Sequence, residues 1–305
     1  MQVVRGLDQL DGFRHGFVSI GNFDGVHRGH QSMIAVLTRS SREQNAPAVI
    51  FTFDPHPIAL LRPGQSPPPL STTERKIELL SNFGVDAVVV YPTDQALLGL
   101  SPQEFFDRIL LGRLEARGLV EGPNFFFGKG RSGNIETLGE FCAAARMSLQ
   151  IVPPVSVGDQ LVSSTEIRRM ICDGRVRDAA SLLGYPYGIS GTVVRGAERG
   201  RTIGFPTANL EGVRTVLPRD GVYAGRALAG AKWYPAGINV GPAPTFADQE
   251  RKLEVHLADF SGDLYGARIA VEFLDRLRDT TRFASVDDLK AQLTRDLDQV
   301  RALAR

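Results

Sequence analysis

The segment FVSIGNFDGVHRGH, residues 17–30, decides how the first part of this chain folds. Residues 17–20 are apolar except for one serine, which is the pattern of a buried strand. A glycine-rich turn follows, and residues 31–42 then place apolar side chains at helical spacing. A strand, a glycine-rich turn and a helix in this order are typical of one βα step in an α/β domain.

The same alternation continues after this segment. Residues 48–53 and 87–91 have the apolar pattern of two further strands. Between them, residues 71–83 have a helical pattern, with Ser71 and Glu74 at capping-box spacing. This βαβα order predicts a parallel sheet with helices on both faces. Ligands on such sheets bind at the carboxyl ends of the strands.

The pattern changes near the tetrapeptide YPYG, residues 185–188. From there to about Leu277, short alternating apolar runs separated by Gly and Pro predict antiparallel strands in a small β-barrel. A last helix begins at a Ser285 and Asp288 capping pair. We therefore expect an α/β Rossmann-like domain over residues 1–184 and a β-barrel domain with a C-terminal helix over residues 185–305.

The composition restricts the classes of partner. Apolar residues make up 43% and charged residues 23%, which predicts a well-cored globular protein. The net charge of +1 gives no bulk attraction to nucleic acid or to a membrane surface. The two cysteines are too few for a disulfide framework, and no segment has the pattern of an export signal or a membrane span. We expect a cytoplasmic protein, monomeric by default, that binds neither nucleic acid nor membranes.

The turn after the first strand has the features of a phosphate site. Gly21 and Gly29 allow the backbone to approach a nucleotide closely, and the helix beginning near His30 directs its amides toward phosphates. His27 and His30 can donate hydrogen bonds to phosphate oxygens and neutralise charge on a leaving pyrophosphate. The spacing alone leaves open phosphate chemistry, a pair of zinc ligands or a plain loop.

A second candidate lies at SSTEIR, residues 163–168. Hydroxyl groups, the amides of a helix start and an arginine together suit a triphosphate. By itself the segment favours an ordinary helix cap beside a solvated arginine, and pairing with the first turn across a parallel sheet favours the phosphate site.

Together, GNFDGVHRGH (residues 21–30) and SSTEIR resemble the nucleotidylyltransferase superfamily. The FDG form of the turn resembles the FMN adenylyltransferase module of the bacterial riboflavin kinase/FAD synthetase family. This resemblance implies catalytic roles for His27, His30 and Arg168. It also implies ATP contacts for Gly21, Asn22, Phe23, Asp24, Gly29, Ser163, Ser164 and Thr165.

Two further segments, FTFDPHP and GPNFFFGKGRSGN, resemble the parts of that family that line the flavin pocket. The resemblance implies that the flavin is bound by Pro55, His56, Pro57, Asn124, Phe125 and Phe127. One position departs from the family pattern, since a basic residue usually stands between the two phenylalanines where this chain has Phe126.

The stretch GFPTANL, residues 204–210, resembles the centre of the riboflavin kinase motif. The resemblance implies that magnesium is held near Thr207 and Asn209, whose oxygens suit a hard cation. It implies that ATP is bound by Gly196, Gly200, Arg201, Gly204 and Pro206. In isolation, the tetrapeptide PTAN favours a turn with a capping asparagine, and only its full context favours the magnesium site.

A carboxylate is needed to accept the hydroxyl proton in phosphorylation of an alcohol, and LEVHL, residues 253–257, supplies one. Strand alternation places Glu254 and His256 on one face and the apolar residues on the other. Glu254 matches the family's catalytic glutamate, although the pattern alone also fits a solvent-facing side chain. His256 has no assigned role.

The two resemblances cover nearly the whole chain, in the family's order. They imply a bifunctional enzyme that phosphorylates riboflavin to FMN and adenylylates FMN to FAD, with ATP and Mg²⁺ in both steps. Three alternatives remain at this point: a nucleotidyltransferase for another phosphate acceptor, a flavin-binding protein without activity, and an enzyme with one inactive site.

Overall fold

The computed structural model describes residues 1–196, 199–242 and 251–304, without the side chains of Arg199 and Pro242. Contacts divide the chain into two units. The first unit comprises residues 1–67 and 72–162, and the second comprises residues 68–71 and 163–305. Because this division follows packing alone, the predicted boundary between residues 184 and 185 stays a prediction.

The first unit is an α/β domain. Its strands are β1 (Gln2–Arg5), β2 (Phe17–Ile20), β3 (Ala48–Phe53), β4 (Ala87–Tyr91), β5 (Gly118–Glu121) and β6 (Ser148–Ile151), and β7 (Ser156–Val157) pairs with β8 (Gln160–Leu161). Its helices are α1 (Arg28–Glu43), α2 (Pro57–Leu61), α3 (Thr73–Ser81), α4 (Gln95–Gly99), α5 (Pro102–Phe105) and α6 (Ile135–Ala144). A π-helical segment at Phe106–Leu111 extends α5. A 3₁₀ turn spans Lys129–Arg131.

The first six strands form one parallel sheet in the order β1-β4-β3-β2-β5-β6. The central strands β2, β3 and β4 are almost continuously buried, whereas the edge strands β1 and β6 are mostly not. Central strands of a parallel sheet are covered on both faces, so they need continuous apolar runs. The three strands predicted at residues 17–20, 48–53 and 87–91 are confirmed.

Two predicted helix starts are wrong. Thr72, rather than Ser71, caps α3, and its hydroxyl accepts the N–H of Arg75 at 3.3 Å. Neighbouring hydroxyl residues are equivalent as caps in sequence, and packing chooses between them. Helix α1 begins at Arg28 rather than near His30, because the side chain of His27 forms the cap.

The second unit is a closed antiparallel barrel with helices. Its strands are β9 (Tyr187–Val194), β10 (Ala208–Glu211), β11 (Gly221–Ala229), β12 (Lys232–Pro242), β13 (Arg251–Leu257) and β14 (Arg268–Arg278), closed in the order β10-β13-β12-β11-β14-β9. Its helices are α7 (Ser164–Cys172), α8 (Val176–Leu183), α9 (Arg199–Thr202) and α10 (Val286–Leu303). Buried and less buried residues alternate along β9, as a small barrel requires. The predicted fold class is confirmed, as is the Ser285 cap of the last helix.

Candidate active sites

The turn between β2 and α1 is fixed by its own packing. Phe23 and Val26 have left-handed backbones, with φ of 47° and 34°, and both side chains are buried. Such a conformation costs a bulky residue about 1–3 kcal/mol, which the surrounding structure must offset. The Nε2 of Gln31 donates to the carbonyl of Val26 at 2.8 Å. The turn is therefore held in an unusual shape that its neighbours determine.

His27 and His30 lie together at the start of α1. Their rings stack with centroids 3.7 Å apart, and the Nδ1 of His27 accepts the backbone N–H of His30 at 3.4 Å. The Nδ1 of His30 is buried, with no hydrogen-bond partner among the described residues. Burial, and then the charges of His27 and Lys76, hold the pKa of His30 well below its usual range. His30 is thus neutral at pH 7 and offers one N–H donor. Any positive charge that neutralises a leaving pyrophosphate must therefore come from other groups.

The strand order of the sheet reverses at β2, with β3 and β4 on one side and β5 and β6 on the other. Beyond the last β2–β5 pair, the Oε1 of Glu121 accepts the N–H of Ile20 at 2.6 Å. Burial raises the pKa of Glu121 well above its usual range. A reversal of this kind is where open α/β sheets bind ligands, at the carboxyl ends of the strands. The turn with His27 follows β2 at that edge.

The residues after β3 begin α2. His56 caps this helix, because its Nδ1 accepts the N–H of Ile58 at 3.1 Å, and Pro57 is the first helical residue. The hydroxyl of Thr93 donates to the carbonyl of Pro55 at 2.6 Å. These contacts hold Pro55, His56 and Pro57 at the same edge of the sheet, and their role in binding the flavin stays a prediction.

The three phenylalanines after β5 have different surroundings. Phe127 is 6% exposed and belongs to the apolar core. Phe125 is partly buried and stacks on Phe127, with centroids 5.5 Å apart. Phe126 is 45% exposed, and the guanidinium of Arg131 lies 4.7 Å from its ring centroid. The ring of Phe127 therefore supports Phe125 from the core, while Asn124 is exposed beside them.

In the second unit, the predicted triphosphate segment is a capped helix start. The hydroxyl of Ser163 accepts the N–H of Glu166 at 3.2 Å, so Ser164 and Thr165 occupy the first turn of α7. The Nε of Arg168 donates to the carbonyl of Pro68 at 3.1 Å. The segment has the helix start that the sequence predicts, and its contact with ATP stays a prediction.

The barrel aligns the residues predicted for the kinase. Asn209 of β10 and Asn239 of β12 are the cross-strand partners of Glu254 on β13. The Nδ2 of Asn239 donates to the Oε2 of Glu254 at 3.4 Å. Leu253 and Val255 are buried in the barrel, so this row of polar side chains lies on its outer face.

Strands β10 and β13 border a cleft of about 600 Å³, which is lined by Ala208 and Val255, the chain neighbours of Asn209 and Glu254. It is lined by Val193, Arg195, Arg201, Pro206, Thr207, Ala208, Val255, Leu257 and residues 260–265. A Cβ at Gly196 would overlap the side-chain amide of Asn209, and a Cβ at Gly200 would overlap the carbonyl of Phe205. Only glycine permits these approaches. Residues 197 and 198 of the predicted glycine-rich stretch lie outside the described part of the chain.

Comparisons with known proteins identify two regions of the chain. A family model for FAD synthetase matches residues 12–166, and one for riboflavin kinase matches residues 183–304. A bifunctional riboflavin kinase/FMN adenylyltransferase from Escherichia coli K12 is 39% identical over 299 residues, 97% of this chain and 96% of that protein. The chain belongs to the bifunctional riboflavin kinase/FMN adenylyltransferase family.

Two further relatives with the same name align with this chain over nearly its full length. The protein from Pseudomonas fluorescens is 38% identical, covering 100% of this chain and 98% of the relative. The protein from Haemophilus influenzae is 35% identical, covering 99% of each chain. The chain is accordingly an enzyme with riboflavin kinase and FAD synthetase domains, as predicted.

A solved structure described as a macrolide-efflux protein from Streptococcus pneumoniae is also similar. It is 35% identical, covers 98% of each chain and has a TM-score of 0.89. That description applies to the Streptococcus protein. Among the described residues, no helix has the length and apolar character needed to cross a membrane.

Lys76 and Glu121 were not identified from the sequence, and His256 was named without a role. Lys76 is a buried charge near the turn of the FAD synthetase domain, and Glu121 is a buried carboxyl group at its sheet reversal. In the kinase domain, the Nδ1 of His256 lies 2.7 Å from the carbonyl of Pro206, so His256 holds the turn that precedes Thr207. Lys76 shares helical spacing with two leucines, which is a signal of burial, whereas the contact of His256 spans 50 residues and leaves no local signal.

Proposed function

We propose that the barrel domain, residues 185–305, phosphorylates riboflavin to FMN with ATP, and that the α/β domain, residues 1–184, transfers the adenylyl group of ATP to FMN, giving FAD and pyrophosphate. In the barrel, Glu254 accepts the proton of the ribityl hydroxyl while the cleft binds ATP. The observation that carries this assignment is the row that places Glu254 opposite Asn209, beside a cleft lined by Thr207. A carboxylate near the phosphates is what transfer to an alcohol requires.

The donor set fits magnesium. Thr207 and Asn209 offer a hydroxyl and an amide oxygen, and Glu254 offers a carboxylate nearby. In the described part of the chain, no three His, Cys, Asp or Glu side chains are grouped to hold a metal. Magnesium needs no such cage, because it keeps waters and is held by one or two protein oxygens plus substrate phosphates. When bound, the ion neutralises charge on the transferred phosphoryl group.

Glu254→Gln tests the kinase assignment. We expect the rate of FMN formation to fall about 10²–10⁴-fold, the usual contribution of a positioned base. FAD formation from supplied FMN should be unchanged. Glu211→Gln, on an exposed part of β10, is the matched control. Undiminished FMN formation by Glu254→Gln would rule out this base.

The α/β domain, residues 1–184, supplies no nucleophile in our proposal, because the phosphate of FMN attacks the α-phosphate of ATP directly. The turn 21–30 binds ATP, and the N–H of the neutral His30 donates to a phosphate oxygen as pyrophosphate leaves. His27 fixes the ring of His30 by stacking. Ser164 and Arg168 are assigned to the triphosphate on their sequence motif alone. Phe125 and its neighbours in the two flavin motifs are assigned to the isoalloxazine ring on the same basis.

His30→Ala tests the adenylyltransferase assignment. Loss of one preorganised donor lowers kcat by about 10²–10³-fold, so FAD formation should nearly stop. FMN formation should continue at the rate of the unaltered enzyme. His15→Ala, an exposed histidine of the same unit, is the control. Loss of both activities in a folded His30→Ala protein would contradict two separate sites.

Both steps use ATP, from which we infer a cytoplasmic location. The partners that we propose are the small molecules riboflavin, FMN and ATP. We assign a monomer by default. The domain boundary between residues 184 and 185 is proposed on the change of sequence pattern.

A further inference from the structure

Lys76 is a buried charge that the proposed reaction does not use. It lies on α3, and only 6% of the residue is exposed. Burial lowers the pKa of its ammonium group, whereas attraction to Asp24 and Asp54 favours the charged form. A lysine is rarely buried without a compensating arrangement of partners. The hydrogen-bond contacts of Lys76 indicate which part of the protein it supports.

Two hydrogen bonds lead from Lys76 to the turn after β2. Its Nζ donates to the hydroxyl of Thr52 at 3.2 Å, and that hydroxyl donates to the carbonyl of Asn22 at 3.3 Å. Thr52 lies on β3 and is fully buried. The connection therefore joins α3 to the turn through the carboxyl end of β3, a central strand of the sheet. Asp24, which attracts the ammonium group, belongs to the same turn.

We propose that Lys76 is a positioning residue for adenylyl transfer, which holds the turn at Asn22 through Thr52 and presents a positive charge to the imidazole of His30. The inference rests on the proposed role of this turn. After burial, electrostatic repulsion from His27 in the turn and from Lys76 on α3 lowers the pKa of His30. The arrangement pairs a neutral donor with a fixed nearby cation, and both favour a phosphate that gains negative charge.

Lys76→Met removes the charge and keeps a side chain of similar length. The kcat for FAD formation from supplied FMN should fall about 10–100-fold, as expected when a catalytic donor is displaced by a fraction of an ångström to an ångström. FMN formation should stay within about twofold, since it uses the other unit. Thr52→Val, which keeps Lys76 and removes the connecting hydroxyl, should lower the same kcat. The double variant should lose little more than Lys76→Met, because the two residues act in one chain.

A spectroscopic measurement separates positioning from general support of the fold. In protein labelled with ¹⁵N-histidine, the His30 signal is assigned by its disappearance in His30→Ala. Its pKa should rise in Lys76→Met, because a neighbouring positive charge has been removed. Arg39→Met removes an exposed charge from α1 and should change neither this pKa nor either rate.

Two results would overturn the inference. One is FAD formation within about twofold of normal in folded Lys76→Met and Thr52→Val while His30→Ala is inactive. The other is an unmoved His30 titration in Lys76→Met. If Lys76→Met does not fold, an unaltered rate of FAD formation by Thr52→Val is sufficient to reject the inference. An active His30→Ala variant would instead contradict the proposed site itself.

Discussion

Glu121 shows at the scale of one residue how burial sets a charge state. Its side chain is 1% exposed, and desolvation raises its pKa well above the usual range despite the opposing hydrogen bond from Ile20. The folded protein therefore keeps a proton on this group at pH values where the unfolded chain releases it. Stability that depends on this proton is complete below the ordinary glutamate pKa and is lost as the pH rises through the raised value.

Glu121→Gln replaces the protonated acid with a neutral side chain of the same shape. Across the interval between the two pKa values, the free energy of unfolding should fall in the unaltered protein by up to about 1.4 kcal/mol per pH unit relative to the variant. Thermal unfolding of both proteins from about pH 5 to pH 8 measures this difference. If the free energies of unfolding of the unaltered protein and of Glu121→Gln changed with pH in parallel, Glu121 would already be ionised in the folded protein.

Single residues were predictable where chemistry leaves a motif. The sequence named His27, His30 and Glu254 as candidates on residue type and family resemblance, and their roles stay predictions. The pairing of Glu254 with Asn209 is a property of the folded barrel. The neutral state of His30 could not be predicted, since it follows from burial and from Lys76, which is 46 positions away in sequence. Residue types are local, whereas charge states depend on tertiary surroundings.

At the scale of elements, α10 is joined to the barrel by an ion pair. Arg278 of β14 donates through Nε and Nη2 to the carboxylate of Asp296 at 2.8–3.2 Å. Asp296 is 4% exposed, so this pair is largely desolvated. Removing one member of such a pair costs more than the pair contributes, because the other charge stays buried.

Asp296→Ala should lower the free energy of unfolding of the barrel by about 3 kcal/mol. Asp298→Ala, whose carboxylate is 70% exposed, should change it by less than about 0.5 kcal/mol. Urea unfolding followed by the fluorescence of Trp233, the single tryptophan, reports on the barrel. Equal midpoints for the two variants would contradict the role of Asp296.

The central strands were predictable because their burial on both faces forces continuous apolar runs, as in β3. The cap of α3 was not, since Ser71, Thr72 and Thr73 are adjacent candidates and only packing selects Thr72. The edge strand β1, with one buried residue in four, carries too weak a pattern to identify.

At the scale of the whole molecule, the two activities are assigned to different proposed domains of one chain, residues 1–184 and residues 185–305. The proposed kinase residues Asn209 and Glu254 lie on the barrel strands β10 and β13, and the proposed adenylyltransferase residues His27 and His30 lie after β2. FMN is the product of one proposed site and the substrate of the other. If FMN is released between the steps, the two sites need not belong to the same polypeptide molecule.

Mixing two single-site variants tests this claim most directly. With riboflavin, ATP and magnesium, His30→Ala alone should accumulate FMN, and Glu254→Gln alone should leave riboflavin unchanged. Mixed in equal amounts, they should produce FAD after a lag, because FMN made by the first is adenylylated by the second. Chromatography of the flavins over time measures this. FAD from either variant alone, or none from the mixture while Glu254→Gln still converts supplied FMN, would contradict the account.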